Sequence, residues 1–273
     1  MPKIAVGMRK LLFTYLLVLS FALIGCDFAL SSGKATDAVD SIEIIRYDRV
    51  EARFLSTGDF AALQEMNTVF PKQTRALIED LLNLGTVSDV NINKRMLEYF
   101  QDSTLQNIIY AAESEFADMS DLNKELKNAF RNLKKEIANI EIPTFYAQLG
   151  SLDQSIVVDD NAIGISLDKY LGKDYPAYLR FYDDWQRESM TRDYIVPDCV
   201  LFYLISRYGL HNDREVNQHD RDVNMGILMY VTNKVVGRKV FKGEFVDRVG
   251  KYMKKHPTTS VRYMLELADY SGI

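Results

Sequence analysis

Leu122, Leu126, Phe130, Leu133, Ile137 and Ile140 recur at spacings of four and three. A helical period brings such positions onto one face, so the spacing predicts an amphipathic helix over 122–140. The opposite face is rich in Lys, Glu and Asn and suits water. An apolar stripe this long has to be buried. A heptad seam against another helix would bury it, but the run is short for a coiled coil, and packing into a globular core fits better. Disulfides offer no substitute for that core. The chain has two cysteines, Cys26 and Cys199, and with Cys26 acylated, as argued below, no internal bridge can form.

Shorter signals place the remaining elements. Residues 42–47 (IEIIRY) are β-branched and read as a strand. Asp59 caps a helix carrying Phe60, Leu63, Asn67 and Phe70, and Pro71 opens the next, with Leu77, Leu81 and Leu84 on one face and Gly85 as its stop. Met96, Leu97 and Phe100 mark a further helix. Ser103 and Gln106 read as a capping box ahead of Ile108, Ile109 and Phe116. Residues 142–149 and 155–158 look like strands, Asp159-Asp160-Asn161 like a turn, and 162–167 like the returning strand of a hairpin. From Tyr175 the pattern is helical to the end, with stripes at Ile195, Val200, Leu204 and Tyr208, at Ile227, Tyr230, Val231 and Val235, at Phe245, Val249 and Tyr252, and at Val261, Leu265 and Ala268. Helices around a small central sheet make an α+β class, here one mainly helical domain. No Pro/Gly-rich linker or internal repeat divides it.

The N-terminal segment concerns location. Lys3, Arg9 and Lys10 give a basic start, residues 11–24 (LLFTYLLVLSFALI) are almost wholly apolar, and Gly25-Cys26 follows. This is the layout of a secretory signal, and the apolar run falls short of the roughly 20 residues that cross a bilayer. Leu23-Ile24-Gly25-Cys26 resembles a lipobox, the site cut by bacterial lipoprotein signal peptidase. The resemblance implies diacylation of the Cys26 thiol and a new N-terminus there. Two acyl chains hold a protein stably, at about 0.8 kcal/mol per buried CH₂. The expected organisation is therefore a signal peptide over 1–25, a lipidated, small and polar tether over 26–41, and a globular domain over 42–273. Removing the signal removes three bases and no acids, so the net charge moves from −5 to −8. That balance argues against nucleic acid as a partner. The expected location is the cell envelope, outside the cytoplasm, on either the outer or the cytoplasmic membrane.

One block is more specific. Ile163-Gly164-Ile165-Ser166-Leu167-Asp168-Lys169-Tyr170-Leu171-Gly172-Lys173-Asp174-Tyr175 is followed by Met190 and by Tyr194-Ile195-Val196-Pro197-Asp198. It resembles the gliding-motility lipoprotein GldB family of the Bacteroidetes. Ile44-Ile45-Arg46-Tyr47-Asp48 and Ile142-Pro143-Thr144-Phe145 are similar to that family's flanking segments. The resemblance covers residues 42–198 and is weak after Leu210. It implies an envelope protein serving the gliding machinery and the linked type IX secretion system, with other envelope proteins as partners. It also implies a remote kinship in fold to zinc peptidases, with the metal site lost.

The residues themselves offer little catalysis. A zincin helix needs two histidines at i and i+4. The histidines here are His211, His219 and His256. On one helix His211 and His219 would stand about 12 Å apart, too far to share a zinc with bonds near 2 Å. The helix after Tyr194 has no histidine. A folded loop could still gather His211, Glu215 and His219, but a polar exposed loop is the plainer reading of residues 211–222. Gly164-Ile165-Ser166-Leu167-Asp168 lacks the second glycine of a nucleophile elbow. Cys199 sits among apolar neighbours, as an inert thiol does. No metal, cofactor or catalytic residue is expected. Asp168, Tyr170, Asp174, Tyr175 and Trp185 combine acidic and aromatic side chains suited to an interaction surface, although aromatics often serve the core and Asp174 could cap a helix. The basic run Lys234, Arg238, Lys239, Lys242, Arg248, Lys251, Lys254 and Lys255 reads as a solvated face, or as one turned to anionic headgroups. The expected role is a non-enzymatic accessory or assembly factor. The competing readings are a metal-dependent envelope hydrolase and a polysaccharide-binding lipoprotein.

Overall fold

The computed structural model describes residues 38–210 and 216–273, so the expected export segment, Cys26, His211 and Glu215 lie outside the described residues. A short strand β1 (Ile44–Ile45) leads into α1 (Tyr47–Thr57), α2 (Phe60–Thr68), α3 (Pro71–Arg75, continued by a π-helical turn Ala76–Leu81), α4 (Ile92–Tyr99), α5 (Ser103–Glu115) and α6 (Ser120–Glu136). Strands β2 (Thr144–Gln148), β3 (Ile156–Asp159) and β4 (Ala162–Ser166) follow. The short helices α7 (Pro176–Phe181) and α8 (Asp184–Arg187) precede α9 (Ile195–Tyr208), α10 (Gln218–Val236), α11 (Glu244–Lys255) and α12 (Val261–Leu265). The class is α+β, in one folded unit over Ala38–Ile273.

The sheet has the order β1-β2-β4-β3. β2 is parallel to β1 and β4, and β3 closes a hairpin antiparallel to β4. Phe145, Tyr146, Ala147 and Gln148 of β2 and Ile163, Gly164, Ile165 and Ser166 of β4 are buried on both faces, which is why these strands read as near-continuous runs rather than alternations. Helix α6 seals one side. Its stripe is buried at Leu122, Leu126, Phe130 and Leu133. Phe130 meets Phe145 and Tyr203 edge-on, at 5.2 and 5.4 Å between ring centroids, and so joins α6 to β2 and α9.

Several local readings change. The stripe outlasts its helix: α6 ends at Glu136, Ile137 is extended yet buried, and Asn139 turns left-handed (φ 64) before Ile140. In 42–47 only Ile44 and Ile45 pair with a strand. Tyr47 starts α1, where its ring is buried and its hydroxyl lies 3.2 Å from that of Thr74. Asp102, not Ser103, caps α5 by accepting from Thr104 N and Leu105 N. Gln106 instead donates to Phe100 O and Leu55 O, tying α5 to α1. The helix from Pro71 stops at Asn83 (φ 50), ahead of Gly85. Packing also reaches back to Val39, which is buried before Ile42.

Candidate functional site

The central block folds inward. β4 ends at Ser166, and Leu167–Lys169 form a single 3-10 turn that drops Asp168 into the core. Its two carboxylate oxygens accept from Gly150 N at 2.6 Å and Leu152 N at 2.5 Å. These bonds hold the β2–β3 connection, in which Ser151 and Leu152 have positive φ of 49 and 67. A carboxylate answering two backbone donors on either side of Ser151 stabilises such a turn. Gly150 lies so close that a Cβ there would come within 2.7 Å of Ser166 Oγ. The Tyr178 hydroxyl donates to Asp168 O and accepts from Leu171 N. Beside Asp168, Glu51 of α1 is fully buried. One of its oxygens accepts from Leu149 N at 2.9 Å, and the other has no hydrogen-bond partner among the described residues. Burial pushes the Glu51 carboxyl well above its ordinary value, with Asp168 and Asp48 adding repulsion. Burial also raises Asp168, against the pull of its backbone donors.

A cavity of about 180 Å³ opens next to this frame, between the 3-10 turn, α8 and the first turn of α9. Asp198, in that first turn, accepts from the Tyr170 hydroxyl at 2.8 Å. Burial lifts the Asp198 carboxyl to about 7, while the bond from Tyr170 pulls the other way. Lys169 donates to Leu152 O at 3.2 Å and to the Tyr182 hydroxyl at 3.0 Å, and its ammonium lies 4.3 Å from the Tyr182 ring centre. A carboxyl titrating near neutrality, a bonded tyrosine and a fixed ammonium in one small polar cavity are equipped to bind charge and exchange a proton.

The expected interaction surface is therefore divided. Asp168 and Tyr170 are buried and serve the frame and the cavity, because the 3-10 turn points them inward. Tyr178 is buried as well, and Tyr175 is half-buried against it, so the tyrosines do not form an exposed stacking platform. Asp174 is exposed and caps nothing, since Tyr175 holds the N-cap position of α7 with Pro176 after it. Trp185 stays outside at 74% exposure, in company with Leu179 and Phe181. Cys199 is fully buried and burial pushes its thiol up, while Ser166 is buried and accepts from Gln148 Nε2. His219 lies in the first turn of α10, its ring 6.0 Å from Phe245. Among the described residues no group of three or more His, Cys, Asp or Glu side chains could hold a metal ion. In the basic run, Lys234, Arg238 and Lys239 pair with Glu136, Glu125 and Asp247, tying helices together.

Sequence reasoning passed over Glu51, Lys169 and Asp198 as site residues. A signal did exist for Asp198, a lone acid inside an apolar helical run, where an unpaired charge is costly, whereas Glu51 stands among Asp48, Arg49 and Arg53 and carried no such mark. Nothing in the local sequence marked Lys169.

Fold and site together define an α+β protein with an inward-folded central block, a polar cavity and an exposed apolar edge. The family of gliding motility protein GldB matches residues 32–240, more than half of the chain, and the chain belongs to that family. It is accordingly a gliding-motility-related lipoprotein of the cell envelope. The match extends past Leu210 through α10, beyond the reach of the resemblance read from the central block. No curated protein and no solved structure matches the chain, so kinship with zinc peptidases stays an implication of the resemblance alone.

Proposed function

We propose that the protein is a non-enzymatic assembly factor, anchored by lipid on Cys26 and docking other envelope proteins of the gliding and type IX secretion machinery. The observation that carries the docking role is the apolar edge of α7 and α8. Leu179 and Phe181 are 55% and 56% exposed on α7, which Tyr178 and Tyr182 fix from beneath, and Trp185 is 74% exposed on α8. Aromatic and aliphatic side chains held outward on a rigid base are what protein interfaces use as anchors. Family membership supports the machinery, and the lipobox supports the anchor.

The test is affinity capture of the protein from gently solubilised native envelopes, with mass spectrometry. A stoichiometric set of envelope proteins should accompany it and be lost from a Phe181→Ser/Trp185→Ser variant. A protein recovered alone, or partners unaffected by the variant, would refute the docking role. Cys26→Ala should abolish incorporation of labelled lipid, and retention of label would refute the anchor. The exposure of Trp185 favours polysaccharide binding as a second reading. Under it, sugar addition should quench Trp185 fluorescence.

A further inference from the structure

We propose that the cavity between Asp198 and Lys169 binds a small zwitterion with the size and charge pattern of a free amino acid. This goes beyond the docking role, which uses the outer edge of α7 and α8, and either can fail without the other. The lining supplies the first argument. Ser155, Tyr170, Gln186 and Ser189 accompany the two charged residues, and Met190 is the one apolar side chain on the wall. A void that stays empty is lined by apolar groups, whereas a polar cavity holds water or a polar ligand that displaces it. Its volume of about 180 Å³ equals roughly six waters and falls below the ~300 Å³ at which drug-sized pockets begin. An occupant must be small.

The charges supply the second argument. Lys169 and Asp198 line the same space yet make no ion pair with each other among the described residues. One Asp198 oxygen accepts from Tyr170, and the other accepts from no described residue. Lys169 uses two of its three N–H bonds, on Leu152 O and the Tyr182 hydroxyl. Gln186 accepts from Asp183 N through its oxygen, which leaves its amide N–H bonds for a ligand. A zwitterion spans this gap. Its ammonium donates to Asp198, and its carboxylate accepts from Lys169 and Gln186, each a charge-assisted bond in a partly dry site. The proximity of Asp198 to neutrality is consistent with a carboxyl that lacks its cation. The other titratable groups around it are Lys169, Tyr170, Tyr182 and its neighbour Cys199. A bound ammonium holds Asp198 ionised.

Isothermal titration of the full chain in detergent tests this, with L-alanine as the zwitterion and propylamine and propionate as single-charge probes. Alanine should bind saturably, with a Kd below about 1 mM. Binding should weaken at least tenfold in Asp198→Asn and in Lys169→Met, and should weaken as pH falls from about 8 to 6, because Asp198 must be ionised. Ser189→Leu, which fills the cavity, should abolish it, and Lys251→Gln on α11 should leave it unchanged. Urea unfolding establishes that each variant is folded. Absence of saturable binding of glycine and alanine at about 10 mM, or equal affinity in the Asp198→Asn variant, overturns the site. Propylamine binding as tightly as alanine, with Lys169→Met unaffected, overturns the zwitterion assignment.

Discussion

Replacing Asp198 with Asn should flatten the pH dependence of folding stability. Asparagine keeps the shape of the side chain and an oxygen to accept from Tyr170, but it cannot ionise. In the unfolded chain Asp198 titrates near 3.9, and burial in the fold lifts it to about 7. The folded value is the higher one, so the native state binds the extra proton. The stability tied to that proton is fully present below about pH 4 and is lost as the pH rises through about 7. Three units at 1.36 kcal/mol each amount to about 4 kcal/mol, an order-of-magnitude figure. That is a large share of the 5–15 kcal/mol by which domains are typically stable. Urea unfolding of both proteins at constant ionic strength, in steps from pH 4 to 8, reads the difference directly. The two should be close at pH 4, and near pH 8 the variant should be the more stable by about 4 kcal/mol. Parallel curves across the whole range would show that Asp198 is not held protonated, and the account of the cavity would fail with it.

Further expectations follow from the same geometry. Glu51→Gln should also reduce the loss of stability at rising pH, because burial pushes the Glu51 carboxyl well above its ordinary value. Its folded value is raised, so the stability it contributes is present below about 4.3 and declines above it. An unchanged slope in urea unfolding from pH 5 to 9 would contradict the burial argument. Gly226→Ala should destabilise the packing of α10 on α11. A Cβ there would lie 2.7 Å from Phe245 Cβ and 2.9 Å from its carbonyl carbon, an overpacking worth about 1–3 kcal/mol. The gain in helix propensity, at most about 1 kcal/mol, is the smaller effect, and thermal unfolding gives the sign.

Much of the fold was legible because it rests on local periodicity. The 122–140 stripe required a buried helix face, and α6 buries it from Leu122 to Leu133, although the helix ends before Ile137 and Ile140. The turn residues Asp159-Asp160-Asn161 required a hairpin, and β3 pairs with β4 around them. Asp59 was a readable cap, and it accepts from Ala61 N. Where two residues competed for one role the sequence could not choose. Asp102 and Ser103 are both good caps; in the fold Asp102 takes the role, accepting from Thr104 N and Leu105 N, while Gln106 is drawn to Leu55 O.

The site is divided along the same line. By itself the sequence determined the family block and the scarcity of histidine and cysteine, and it carries the pattern from which an export signal ending in Gly25-Cys26 is expected, since composition and short-range order hold all three. Tertiary structure alone decided that Asp168 and Tyr170 point inward while Trp185 points out. One 3-10 turn after β4 turns Asp168 inward, where the loop at Gly150 is near enough to satisfy its carboxylate. It also decided that Lys169 and Asp198 face one cavity. Residues far apart in sequence acquire a shared chemistry only when desolvation and hydrogen bonds act on them together, and those forces have no counterpart in a one-dimensional pattern.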